Sequence, residues 1–351
     1  MTFLSSDISK GKIENNLSRT FDFLRFPLAL FVVYLHIVPT LCLESAETSI
    51  IRVTYPVYYW INNSICTLAN LAVPCFFIIS GYLMGFNMTS FQSGIYLSKL
   101  YRRCFTLLIP YIIWNIACVV YLHLTGQIEY VPSWAATFIQ PVNFPLWFLR
   151  NLIVLNLLYP VIWWMAARLK LPFLIFSFVL FSVLPLFCDP YSFANQTAVS
   201  LLMFYAGVFW GINSYTVCNF RPTVLISIII TGITACIINL FHFLPISAYI
   251  NNVYLLTGTH ALIILSYLAV KHYRIVTIPI LTSASFFIYV SHKLGPTYIS
   301  KRLEILLPAD SEITRIVIFL ICPVIASGIC VLTYYALSKI SPRFLKILTG
   351  K

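Results

Sequence analysis

The chain has 351 residues, 60% of them hydrophobic and only 9% charged, with a mean hydropathy of +0.90. Soluble domains carry roughly one-quarter charged residues, so this composition excludes a soluble globular enzyme and points to a polytopic membrane protein. The formal net charge of +12 lies mostly in short segments between apolar runs, where it reads as membrane topology and not as a nucleic-acid patch.

The first twenty residues are polar and lack a short apolar core followed by a small-residue cleavage site, so no cleaved signal peptide is expected. About ten segments then reach the roughly 20 residues a spanning helix needs, because hydrocarbon cannot satisfy exposed backbone amides. They run over Phe23–Cys42, Thr67–Phe86, Cys104–Leu124, Leu146–Ala166, Leu171–Phe187, Ala198–Ile212, Thr223–Phe243, Val253–Val270, Ile275–Gly295 and Ile313–Leu337. The longest polar stretch between them, Leu43 to Cys66, is far below domain size. The expected fold is an all-α polytopic transmembrane bundle, one integral domain over residues 1–351.

Orientation follows from lysine and arginine, which short cytoplasmic loops retain in excess. One side receives Lys10, Lys12, Arg19, Lys99, Arg102, Arg103, Arg168, Lys170, Arg221, Lys271, Arg274, Lys339, Arg343, Lys346 and Lys351. That side is the expected cytoplasm, with both termini on it. The opposite loops carry Glu44, Glu47, Glu129 and Asp189, with Lys293, Lys301 and Arg302 as exceptions.

The ten cysteines lie at irregular spacings with no C-x-x-C pair or zinc-like set, so they read as small apolar residues and no metal site is expected. Two outer loops are aromatic-rich, around "TYPVYYWINN" (Thr54–Asn63) and from Tyr130 to Phe144, which suits interface anchoring or stacking on sugar rings. No internal repeat or inverted half is evident, which lowers support for an inverted-repeat transporter.

Ionisable groups at membrane depth are costly and mark function by default. They are His36, Arg150, His260 and His292; no aspartate or glutamate sits in the middle of a span. Proton-coupled carriers relay protons through such carboxylates, so their absence speaks against a pump and leaves histidine as the general base at depth.

Arg25 and His36 are eleven residues apart, and at 100° per residue that returns to within about 20° of one helix face. The rise separates them by about 16 Å, one at the cytoplasmic mouth and one past the bilayer centre. Asp22, three residues before Arg25, is placed to pair with it. This stripe suits a long ligand with a phosphate-bearing head and a reactive end in the membrane, the shape of a coenzyme A thioester. Arg25 with Lys99, Arg102 and Arg103 would grip phosphate, and neutral His36 would take a proton from an attacking hydroxyl. The plainer readings are a packing histidine and topology-marking cations.

Five stretches together resemble the membrane acyltransferases called acyltransferase family 3. "FDFLRFPLALFVVYLH" (Phe21–His36) is similar to the family's first-helix signature, an arginine and a histidine separated by ten residues, and "VPCFFIISGYLM" (Val73–Met84) to its second-helix aromatic-then-Ser-Gly motif. "YRRCFTLLIPYIIWN" (Tyr101–Asn115) resembles the basic third-helix segment. The family often shows two arginines three apart there; Thr106 stands three after Arg103, and adjacent Arg102 could supply the missing charge. "FPLWFLRNLIVLNLLYP" (Phe144–Pro160) and "SASFFIYVSH" (Ser283–His292) resemble the Trp-Phe-Leu-Arg and late tyrosine-then-Ser-His elements.

The resemblance implies a multi-pass enzyme of the bacterial inner membrane that moves an acyl group, most often acetyl, from cytoplasmic acetyl-CoA to a hydroxyl of a surface glycan or its lipid-linked precursor. Expected partners are acyl-CoA, the glycan acceptor and membrane lipids, with no nucleic acid. His36 would deprotonate the hydroxyl or become acylated itself. His292, Ser80 or Tyr82 would donate to the charge developing on the thioester oxygen. Ser80 and Tyr82 also count among acceptor-binding residues, with Arg150 for an anionic group and Trp147 for a sugar face. Trp134 is more often a belt residue, His260 reads as a helix-packing hydrogen bond, and the alternative function is a glycan or lipid exporter without chemistry.

Overall fold

The computed structural model describes residues 2–37, 51–86, 88, 90–126, 133–184, 187, 192–212, 221–241, 246–273, 275–294, 299, 303 and 311–350. Glu44, Glu47, Glu129, Asp189, Arg274, Lys301, Arg302 and Lys351 lie outside the described residues, as does most of the expected outer loop before Ile51.

Every regular element among the described residues is helical, as the apolar runs dictate. In chain order they are α1 (Thr2–Ile37), α2 (Pro56–Ala69), α3 (Ala72–Gly85), α4 (Ser93–Arg103), α5 (Ile109–Leu124), α6 (Trp134–Ile139), α7 (Trp147–Leu157), α8 (Tyr159–Arg168) and α9 (Lys170–Val183). They continue as α10 (Phe193–Ile212), α11 (Arg221–Phe241), α12 (Ile246–Tyr273), α13 (Pro279–Ser291), α14 (Glu312–Ile340) and α15 (Pro342–Thr349). By length and composition, Pro56–Gly85, Ser93–Leu124, Ile250–Tyr273 and Glu312–Ile340 are long and apolar enough to cross a membrane. A fifth follows if α7 and α8 count as one interrupted span.

Three expectations change. Residues 56–66, read as outer loop, are helical, and polar side chains there bond within the helix: Asn62 Nδ2 donates to the Tyr58 hydroxyl (3.1 Å) and Cys66 Sγ to Asn62 Oδ1 (3.1 Å). The run Leu146–Ala166 is broken at Leu158, two residues before Pro160, which lacks an amide for the helix ladder. The helix before Leu124 begins at Ser93, a turn and more before Lys99, and widens into a π-helical turn at Cys104–Leu108 just ahead of Pro110. A proline leaves one carbonyl without its donor and crowds the preceding turn, which the wider turn accommodates.

The chain forms two compact units, each assembled from three stretches. The first comprises Met1–Leu28, Asn70–Phe91 and Pro160–Ser283. Its closest helix pair is α3 on α10. Gly81 and Gly85 on one meet Gly207 and Gly211 on the other; a Cβ on Gly81 would stand 2.1 Å from the Phe204 carbonyl oxygen, and one on Gly207 2.1 Å from that of Ile78. Small residues four apart on both helices let the backbones touch, the packing that operates where lipid removes the hydrophobic drive between helices. α11 and α12 are joined by the Thr231–Thr257 hydroxyl bond (3.1 Å) and by Ser227 with His260.

The second unit comprises Ala29–Ala69, Gln92–Tyr159 and Ala284–Lys351. Glu312 opens α14 and accepts the Val57 and Tyr58 amides of α2 (2.6 and 3.0 Å), a carboxylate at a helix N-terminus. An aromatic core of Tyr58, Tyr59 and Phe319 follows, with Tyr34 of α1 packed against it. The Tyr34 hydroxyl donates to the Leu320 carbonyl (3.0 Å), fixing α1 one turn before its end. α15 is anchored by Trp114, whose indole donates to the Leu348 carbonyl (3.1 Å). Val317, Ile321 and Val324 form an exposed stripe on α14, the face hydrocarbon would solvate.

Candidate functional site

α1 is unbroken from Thr2 to Ile37, so the arginine and histidine of its signature share one helix, as their spacing requires. His36 occupies its last turn, where Nδ1 lies 2.7 Å from the Val32 carbonyl oxygen. A carbonyl only accepts, so Nδ1 carries the proton and Nε2, at the far side of the ring, carries the lone pair.

His292 begins the short 3₁₀ turn His292–Leu294 that follows α13 and is 1% exposed. Its Nδ1 is 2.7 Å from the Tyr289 carbonyl and 3.2 Å from that of Ile288, so the same reasoning puts the lone pair on Nε2. That Nε2 is buried with no hydrogen-bond partner among the described residues. The two imidazoles meet edge to face with ring centroids 4.9 Å apart, so the second unit unites two histidines far apart in sequence.

The turn that carries His292 is tied to the segment before α7. Asn143 Nδ2 donates to the Val290 carbonyl (3.3 Å), Lys293 Nζ donates to the Val142 carbonyl (3.2 Å), and the Tyr289 hydroxyl donates to the Pro145 carbonyl. Sequence reading missed all three. Their signal was an asparagine flanked by apolar residues in "PVNFPLW" and a lysine directly after a buried histidine. Lys293 is near enough to both imidazoles to interact with them electrostatically.

Arg150 is 8% exposed and points at protein groups: Nη1 donates to the Ile139 carbonyl (2.6 Å) and Nε to Asn151 Oδ1 (3.0 Å). It thereby joins α6 to α7, with Trp147 half-buried one turn earlier on α7. Lys99, Arg102 and Arg103 lie within one turn of each other on α4; Arg102 is exposed and the other two half-buried. These residues belong to the second unit.

The remaining candidates belong to the first unit. Arg25 Nη1 pairs with Asp22 Oδ1 at 3.2 Å, both side chains being more than two-fifths exposed. Tyr82 is buried with its ring 5.3 Å from that of Phe21, and Ser80 Oγ is buried without a hydrogen-bond partner among the described residues. His260 Nδ1 bonds the Ser227 hydroxyl at 2.9 Å, the helix-packing role its sequence position suggested.

The acyltransferase domain family matches this chain over residues 19–335, segments of both units and every candidate site residue named above. No curated protein and no solved structure matches it.

Proposed function

The chain belongs to acyltransferase family 3, and on that premise we propose that it transfers an acyl group, acetyl in the simplest case, from cytoplasmic acyl-CoA to a hydroxyl of a surface polysaccharide or lipid-linked glycan precursor. The reading includes a bacterial inner-membrane location, about ten spans and both termini in the cytoplasm, supported by the ten apolar runs and the one-sided distribution of lysine and arginine.

The observation that carries the chemistry is the His36 Nδ1–H bond to Val32, which leaves Nε2 as an unprotonated base at depth. The acceptor hydroxyl gives its proton to His36 Nε2 as its oxygen attacks the thioester carbonyl carbon. The new C–O bond forms, the C–S bond breaks, and His36 returns the proton to the coenzyme A sulfur. Lys293, which interacts electrostatically with both imidazoles, is suited to stabilise the oxyanion formed on the way.

Arg25, Lys99, Arg102 and Arg103 are the proposed holders of the coenzyme A phosphates, on the charge they carry and the cytoplasmic side assigned to them. Asp22 steadies Arg25. Arg150, Trp147, Ser80 and Tyr82 remain the proposed acceptor contacts; the protein partners of Arg150 support a second role, holding α7 in place.

The test is the O-acetyl content of the host's surface glycan, by mass spectrometry, in a deletion strain carrying either this chain or His36→Ala at equal membrane levels. Acetyl restored by the first and lost with the second is the expected result. Equal acetylation in both removes His36 as the base, and unchanged acetylation with altered glycan export favours the exporter.

A further inference from the structure

The buried polar atoms beside the histidine pair are biased toward one kind of hydrogen-bonding group. His292 Nε2 and Asn143 Oδ1 are both buried acceptors without a partner among the described residues. Asn143 is bonded to Val290, two residues before His292, so both belong to the same corner of the second unit. His36 Nε2 adds a third acceptor atom, since its ring proton is held by Val32. A buried acceptor without a donor is costly, so a corner with acceptors in excess is complementary to a ligand that brings O–H groups.

That complementarity separates the two substrates. A thioester oxygen and phosphates only accept, and the pantetheine arm offers its amide N–H groups singly and well apart, whereas a sugar brings hydroxyl donors on adjacent carbons. A single hydroxyl has one proton and satisfies one lone pair. Two imidazoles with centroids 4.9 Å apart therefore ask for two hydroxyls, and adjacent carbons of a sugar ring hold a pair at about hydrogen-bond separation.

We propose that the acceptor is bound as a vicinal diol: His36 Nε2 takes the proton of the hydroxyl that is acylated, while His292 Nε2 accepts a hydrogen bond from its neighbour. The neighbouring hydroxyl keeps its proton and leaves unchanged. His292 is thus an acceptor-binding residue, and the product is an ester with a free hydroxyl on the adjacent carbon. This rests on the acyltransferase reading above and adds the substrate feature that reading leaves open.

The test uses the purified full chain in lipid nanodiscs, acetyl-CoA, and the host's surface glycan stripped of its esters by mild alkali. Periodate cleaves vicinal diols and leaves isolated or esterified hydroxyls intact. Each acetyl transferred should therefore protect a diol from periodate, and glycan already oxidised with periodate and reduced with borohydride should accept about tenfold less acetyl or worse. Acetyl transferred without a fall in periodate consumption, or oxidised glycan accepting as well as intact glycan, overturns the diol. No transfer at all to intact glycan or to its lipid-linked precursor removes the acyltransferase reading, and this proposal with it.

A second arm separates binding from structure. His292→Leu is expected to raise the KM for glycan about tenfold or more with little change in the KM for acetyl-CoA, and His292→Gln, which keeps an acceptor atom, to recover most of that loss. Equal defects in both variants, or a defect shared by both substrates, mark His292 as structural and overturn its assignment.

Discussion

His36 and His292 stand edge to face with ring centroids 4.9 Å apart, each with Nδ1 bonded to a carbonyl of its own segment. Side chains held in this way cannot swing without giving up a backbone bond, so the far nitrogen of each ring is presented in a fixed direction. On the proposed reading the pair is the chemical centre of the second unit, and its two members should fail differently when removed.

Replacing His36 by Ala should lower kcat for acyl transfer by about 10²–10⁴-fold, the usual contribution of a positioned base, with donor binding retained. Single-turnover transfer from radiolabelled acetyl-CoA to the glycan measures this. Comparable rates in both proteins would show that another group takes the proton.

Gly81 and Gly207 offer a test of the packing. Alanine at either places a methyl 2.1 Å from a backbone carbonyl oxygen of the facing helix, so the helices must part. The expected cost is about 1–3 kcal/mol for each substitution, read as a lower Tm in detergent. Gly232 and Gly328, with nothing within contact distance of an added Cβ, serve as controls that should lose far less.

Arg150→Met removes donors from the Ile139 carbonyl and from Asn151. Leaving such buried acceptors bare should destabilise the protein by about 1–3 kcal/mol, measured by thermal unfolding. With its proposed role in acceptor binding also lost, the glycan KM rises at temperatures where the variant is fully folded; an unchanged KM there would leave Arg150 only its role in holding α7. Lysine should restore charge without the two-directional bonding, and so recover little stability.

The Asp22–Arg25 pair is half-exposed, so breaking it with Asp22→Asn should change stability by less than about 1 kcal/mol. Arg25→Ala should instead raise the KM for acetyl-CoA, and the difference between variant and parent should shrink as salt rises, because exposed charge contacts are screened. Salt-independent loss would place the role of Arg25 in folding.

Much of this was legible in the residues alone. The apolar runs dictated helices because no other local structure satisfies the backbone in hydrocarbon, and within the described residues each expected segment is largely helical, although only four or five helices are long and apolar enough to cross a membrane. The eleven-residue spacing of Arg25 and His36 made a single shared helix the expectation, and both residues lie in α1. Local polarity misled where side chains satisfy one another inside a helix, as Asn62 and Tyr58 do.

What only the tertiary structure decided is which distant residues meet and which of their atoms remain unpaired. Nothing in the spacing of His36 and His292 announces that they touch, nor that Asn143 and Lys293 tie the segment before α7 to the turn at His292. Gly81, Gly85, Gly207 and Gly211 form two ordinary small-residue pairs in the sequence, and become a contact only because their helices face each other. The physical reason is the same throughout: period and polarity act along one segment, whereas a hydrogen bond or a van der Waals contact between segments depends on packing, which distance along the chain does not encode.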